Sequence, residues 1–247
     1  MARKDTIIKF IDDYLHIDDY EDVCKNGLQV EGRDSINKII LGVSANLDLI
    51  RTASRKKADM VIVHHGLFWQ KRFGEITGIN RPRLKRLLKN DINLLVYHLP
   101  LDAHPIIGNN ISIIKALNLV PIKKIDIGYI GKYDKPKNRK TFLRLINEKL
   151  ETDSYEVFYG PKEVKNVAIL SGGGSKHYEM AISEGVDTFI TGDIKEFIPA
   201  IAKETKTNFI NAWHHNTEKF GIINLGKLLK NEFKNLEIEF VNIPNEV

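Results

Sequence analysis

Cysteine is almost absent. Cys24 is the only one in 247 residues, which excludes an intramolecular disulfide and any cluster of thiolate metal ligands. Long apolar runs are missing too. No stretch approaches the ~20 continuous apolar residues that a membrane-spanning helix needs. The first ten residues, M-A-R-K-D-T-I-I-K-F, are too polar and too soon periodic for a signal peptide, so the expectation is a cytoplasmic protein with no membrane partner. There is no helix-turn-helix, zinc-finger spacing or aromatic RNA-binding signature. The net charge of +5 and the basic stretch Lys71 to Arg86 therefore read first as solvated surface, and nucleic acid is a weakly supported partner. What is present is ordinary: 43% hydrophobic and 28% charged residues, enough apolar material for a core. At ~100–200 residues per domain, the length allows one large domain or two modest ones.

The apolar periodicity is that of alternating helices and strands. Asp5 to Tyr14 reads as an amphipathic helix and Asn26 to Gly32 as a turn-rich loop. Ile36 to Ser44, Asp59 to Val63 and Asn93 to Tyr97 read as strands, with helices over Leu47 to Lys57 and Arg83 to Lys89 between them. His98 to Asn110 is rich in breakers and reads as a loop before a short helix, Ile111 to Leu117. Pro121 to Asn138 shows no strong order; a helix over Thr141 to Leu150 and a strand over Ser154 to Tyr159 follow. Then the first pattern recurs. Asn166 to Ser175 is a strand entering a Gly-rich turn, and Val186 to Asp193 and Thr207 to Ala212 are strands, with helices over His177 to Glu184 and Ile194 to Lys203. A-D-M-V-I-V-H-H-G lies over V-D-T-F-I-T-G-D, matching Asp59 with Asp187. The expected fold is α/β: two related domains with mostly parallel sheets, the first over residues 1–125 and the second over 126–247, its last segment free to pack back on the first.

The unusual polar residues fall where parallel sheets bind ligands, outside the carboxyl ends of strands. His64 and His65 end one strand, His98, Asp102 and His104 follow another, and His214, His215 and Glu218 follow the equivalent strand of the second half. Adjacent strand residues face opposite ways, but Gly66 permits a turn that would bring His64 and His65 to one site. On a helix, His214 and Glu218 share a face, and His215 competes for the same role. Each signal has a bland alternative: satisfied core histidines, a carboxylate capping the next helix at Asp102, a loop residue at His104. Their joint placement suggests nitrogen and oxygen ligands for Zn, Mn, Fe or Co. Five ligands exceed what one tetrahedral ion with an open position needs, which favours a pair of ions bridged by a carboxylate such as Asp102. His98 is expected beside them, orienting a ligand or a water.

The motifs N-G-L-Q-V-E-G, V-H-H-G-L-F-W, H-L-P-L-D-A-H-P-x-x-G-N-N, T-G-D-I-K and H-H-N-T-E-K-F-G, in that order, resemble the Nif-three-like dinuclear metal-centre family, whose members are often labelled GTP cyclohydrolase I type two homologues. The resemblance runs from about Asn26 to Gly221. It implies two α/β domains with a two-metal site between them, a homohexameric ring, and His64, His65, Asp102, His214 and Glu218 as ligands of two divalent ions (Zn, Fe or Mn). Where many members have Asp-Ala-Gly, this chain has Asn211-Ala212-Trp213, a bulk that would change the pocket. The first expectation for function is a metal-dependent hydrolase in which an activated water attacks a nucleotide, GTP if the label holds. S-G-G-G-S, Ser171 to Ser175, is either a phosphate cradle of backbone N–H groups or a tight connection. The alternatives are a metal-binding regulatory or interaction protein without rapid catalysis, and a nucleic-acid-binding ring.

Overall fold

A computed structural model describes residues 1–69 and 75–245; part of the basic stretch Lys71 to Arg86 lies outside them. In chain order the elements are β1 (Ala2–Arg3), α1 (Lys4–Leu15), β2 (Gly27–Val30), β3 (Ser35–Ile36), β4 (Lys38–Ser44), α2 (Leu47–Arg55), β5 (Met60–His65), α3 (Asn80–Lys89), β6 (Asn93–Val96) and α4 (Leu99–Ala103). There follow α5 (Asn109–Ala116), β7 (Val120–Ile125), β8 (Gly128–Asn138), α6 (Arg139–Leu150), β9 (Tyr155–Phe158), β10 (Glu163–Leu170), α7 (Tyr178–Ser183), β11 (Thr188–Thr191), α8 (Ile198–Thr205), β12 (Asn208–Asn211) and α9 (His214–Thr217). The chain closes with α10 (Lys219–Glu232) and β13 (Glu237–Phe240).

These elements form two compact units. The first contains Met1–Leu101 and Gly221–Pro244, and the second is built on Asp102–Phe220. The division falls after Leu101, earlier than the boundary near residue 125 read from the sequence. The reason is pairing: β7 is hydrogen-bonded to β8 in the second unit's sheet, and β13 returns to pair with β4 in the first.

In the first unit the sheet order is β13-β4-β5-β6-β2, parallel except for β2, which runs antiparallel to β6. In the second it is β7-β8-β10-β11-β12-β9, with β10, β11 and β12 parallel and the outer strands antiparallel. Both units therefore share a strand–helix–strand–helix–strand core with an antiparallel strand beyond its third member. The central strands are near-continuous apolar runs: Val61, Ile62 and Val63 of β5 are wholly buried, as are Phe189 and Ile190 of β11. This is what a sheet covered on both faces demands.

The match of Asp59 to Asp187 has a physical basis. Each carboxylate accepts two backbone N–H bonds from the residues of the neighbouring strand segment just before parallel pairing begins, Asn37 and Lys38 at 2.8 and 3.0 Å in one unit, Lys165 and Asn166 at 2.9 and 2.7 Å in the other. Asn93 and Asn208 repeat the device one strand on, accepting from the N–H groups of Gly32 and Gly160. These backbone donors are thus satisfied by side chains.

Three segments read as unordered are structured. Asn26 to Gly32 contains β2, His98 to Asn110 contains α4 and the start of α5, and Pro121 to Asn138 forms the hairpin of β7 and β8. Each is short or Lys-rich, and its order comes from pairing or packing rather than from a periodic stripe. No helix among the described residues is long and apolar enough to cross a membrane.

Candidate metal centre

In the first unit β5 carries His64 and His65 at its carboxyl end, and the chain after β6 carries His98. Although successive strand residues alternate faces, the His64 and His65 rings lie with centroids 4.6 Å apart, and His98 stands 5.0 Å from the first and 5.6 Å from the second. One nitrogen from each lies within 4.8 Å of the others, a grouping that could hold a metal ion.

Hydrogen bonds set which nitrogen each ring presents. His64 is fully buried, and its Nδ1 is 2.9 Å from the Tyr97 carbonyl. A carbonyl only accepts, so Nδ1 carries the proton and the lone pair of the neutral ring is on Nε2. His98 Nδ1 is 2.8 Å from Asp22 Oδ1, which assigns the same tautomer by the same argument. His65 Nδ1 meets Ser44 Oγ at 3.1 Å. Carbonyl, carboxylate and hydroxyl partners on the far nitrogen are the usual means of aiming a metal-binding imidazole.

Asp22 is the hub that sequence reading missed. Oδ1 accepts from the Cys24 N–H (2.9 Å) and His98, and Oδ2 accepts from Asn26 Nδ2 and the Leu99 N–H, both at 3.0 Å. Burial pushes its carboxyl up, but the hydrogen bond and charge of His98 and the bonds from Cys24 and Asn26 outweigh this and bring it down to about 2. The motif N-G-L-Q-V-E-G acquires a meaning here. Asn26 Oδ1 accepts the His98 N–H at 2.8 Å, and Gln29 Oε1 accepts from Leu67 and Phe68, fastening the segment after the histidine pair. Gly66 is required there, since a Cβ would sit 2.5 Å from Gln29 Oε1.

Burial also pushes the Cys24 thiol from 9.0 up to about 11, so it is a protonated, inert side chain at neutral pH. Between those values an unfolded thiol ionises while the folded one does not, and stability falls as pH rises from about 9 to 11, by roughly 2–3 kcal/mol. Cys24→Ala is expected to remove that part of the alkaline loss, read as the difference between the two proteins' urea midpoints at pH 8 and pH 10.5; identical pH slopes would refute it.

In the second unit Asp102 lies on α4, 2% exposed, and its Oδ1 accepts from Asn109 Nδ2 at 2.8 Å and Ser171 Oγ at 3.0 Å. It does not cap α5, whose N-cap is Gly108. After β12, His214 opens α9, and its Nε2 is 3.2 Å from Glu218 Oε2. His214, one helical turn away, meets the carboxylate. His104 is buried, and its Nδ1 accepts from the N–H groups of Ile106 and Ile107.

S-G-G-G-S supports this corner rather than offering free amides. The N–H groups of Ser171, Gly172, Gly174 and Ser175 already donate to Asn110, Thr217, Thr191 and Asp193. An anion cradle is therefore not what the turn builds. Gly172, at φ +63°, passes so close that a Cβ would fall 2.0 Å from Glu218 Oε1 and 3.1 Å from His214 Nε2.

Each unit thus presents imidazoles or carboxylates at the carboxyl ends of parallel strands, nitrogen and oxygen donors of the kind that Zn, Mn and Fe accept. This defines an α/β protein with side-chain groups that could hold metal. The chain belongs to the Duf34/NIF3 (NGG1p interacting factor 3) family, whose model matches residues 2–246. It is 40% identical over 251 residues to the GTP cyclohydrolase 1 type 2 homolog of Pyrococcus abyssi (strain GE5 / Orsay), covering 98% of each chain. Among solved structures it is similar to protein ybgI, described as of unknown function, with a TM-score of 0.96 and 38% identity over the whole of both chains. It is also similar to TTHA1606 from Thermus thermophilus, with a TM-score of 0.92 and 32% identity, again over the whole of both chains.

Proposed function

We propose that this protein is a dinuclear metal-dependent hydrolase acting on a nucleotide, with His64, His65, Asp102, His214 and Glu218 holding two divalent ions. The observation that carries the reading is the His64, His65 and His98 cluster, with acceptors on Nδ1 of His64 and His98 that turn Nε2 into the ligating or proton-carrying atom. Divalent ions, when bound, supply a water acidified to near neutrality and a Lewis acid for the bond under attack. The chain's own residues do the rest. His98 takes and returns a proton at Nε2, and the Asp22 carboxylate holds the ring in place through Nδ1. Ser171 and Asn109 hold the Asp102 carboxylate in place. The relatives' label makes GTP the first substrate to try, with formate as the product to detect.

The test has two readouts. Protein purified without chelator is expected to carry about two equivalents of Zn, Fe or Mn by mass spectrometry. His65→Ala is expected to lose at least one of them, together with formate release from GTP. Metal-free wild-type protein, or equal metal and turnover in the two proteins, would overturn the reading. Full metal content with no turnover on a nucleotide panel would leave a metal-binding regulatory protein in its place.

A further inference from the structure

We propose that the first unit binds a planar heteroaromatic ring of nucleobase size in a cavity of about 480 Å³ next to His98. The inference rests on the nucleotide reading above for its choice of probes and goes beyond it by placing the base. Three of the nine lining residues are aromatic, Tyr20, Phe68 and Trp69, against 9% aromatic content in the chain as a whole. Cavities of ~300–1,000 Å³ with an aromatic lining and a few fixed polar groups are the usual form of a small-molecule site. Here the fixed polar groups are Asp22 and Asn26, held by their hydrogen bonds, and the rim adds the exposed Asp18, whose carboxylate suits ring N–H or amino donors, and the exposed Lys25, whose ammonium suits a phosphate.

The cavity is preformed. The indole of Trp69 is pinned by its Nε1–H donating to the Gly66 carbonyl at 3.0 Å. The Lys25 N–H donates to the Phe68 carbonyl, and Gln29 ties both sides together through Lys25 O and the Phe68 N–H. It also adjoins the reactive cluster. Trp69 stands edge-on to His98 with centroids 5.1 Å apart and 6.0 Å from His65, and Asp22, which fixes His98, is itself part of the wall. A ring stacked there is held beside the imidazole that moves the proton.

Binding is read separately from chemistry by titrating metal-stripped full-length protein with the phosphate-free nucleosides guanosine and adenosine, by isothermal calorimetry and by quenching of Trp69 fluorescence in a Trp213→Phe background. Saturable binding of at least one nucleoside is expected. Base–aromatic stacking is worth ~1–3 kcal/mol per ring, so Tyr20→Leu and Phe68→Leu are each expected to weaken binding by about 5- to 150-fold. Lys25→Ala is expected to weaken the matching nucleoside monophosphate and leave the nucleoside unchanged. No saturation by either nucleoside at millimolar concentration, or an unchanged Kd in both aromatic variants, would overturn the proposal. Lost nucleoside binding with metal uptake and turnover intact would remove this cavity alone, whereas nucleoside binding without metal uptake or turnover would keep it and remove the hydrolase.

Discussion

Gly172→Ala is expected to be about 2–4 kcal/mol less stable than the wild type and to lose bound metal. The backbone holds φ at +63°, a region that costs an L-residue with a Cβ about 1–2 kcal/mol. The added methyl meets Glu218 Oε1 at 2.0 Å and His214 Nε2 at 3.1 Å, and overpacking of this kind costs ~1–3 kcal/mol. The neighbouring glycine is a built-in control. Gly173 has φ −80°, and a Cβ there would meet only His214 Cε1, at 4.0 Å. Gly173→Ala is therefore expected to stay within about 0.5 kcal/mol of the wild type. Urea unfolding of chelator-treated protein gives the stability difference, and metal content gives the effect on Glu218 and His214. Equal behaviour of the two variants would show that the close approach of Gly172 does not shape this corner.

Asp22→Asn should have the second large effect, on stability and on rate together. The carboxylate accepts four hydrogen bonds and its side chain is 2% exposed. An amide has one acceptor oxygen and turns an NH₂ toward N–H donors, leaving buried groups unpaired at a cost of about 2–4 kcal/mol. The carboxyl is held at about 2 against an ordinary 3.8. Its contribution is thus fully present above about pH 4 and is lost as the pH falls toward 2. The gap between wild type and variant should narrow over that window. His98 would also lose the partner that fixes its tautomer, and turnover is expected to fall by ~10²–10⁴ with metal content retained. A variant of wild-type stability at pH 7, or one whose turnover falls only in proportion to lost metal, would show that Asp22 does not act through His98.

Much of the scaffold was legible in the residues. V-I-V is a continuous apolar run and T-F-I a β-branched and aromatic one, both between turn signals, and such runs announce buried strands. Asp59 and Asp187 could be paired across the halves because each sits one residue before its strand and does the same hydrogen-bonding task. The stretches that escaped were those whose order is borrowed. Gly27 to Val30 is a strand because β6 lies beside it, and β13 is a strand because the chain returns to β4. Leu99 to Ala103 is a helix despite Pro100, which stands in its first turn, where a proline's missing N–H is tolerated.

The candidate site divides along the same line. Side-chain chemistry and strand-end position were enough to single out the imidazoles and carboxylates, since those are local properties of a residue and its immediate neighbours. Nothing local could reveal that Asp22 holds His98 across 76 residues, that Gln29 fastens the segment after His65, or that Gly172 leaves room for Glu218. By itself the sequence determined which donors exist and at which strand ends they stand. Only the tertiary structure decided which nitrogen each ring presents and which histidine meets Glu218, because those depend on partners brought near by folding, and a hydrogen bond acts over about 3 Å whatever the separation along the chain.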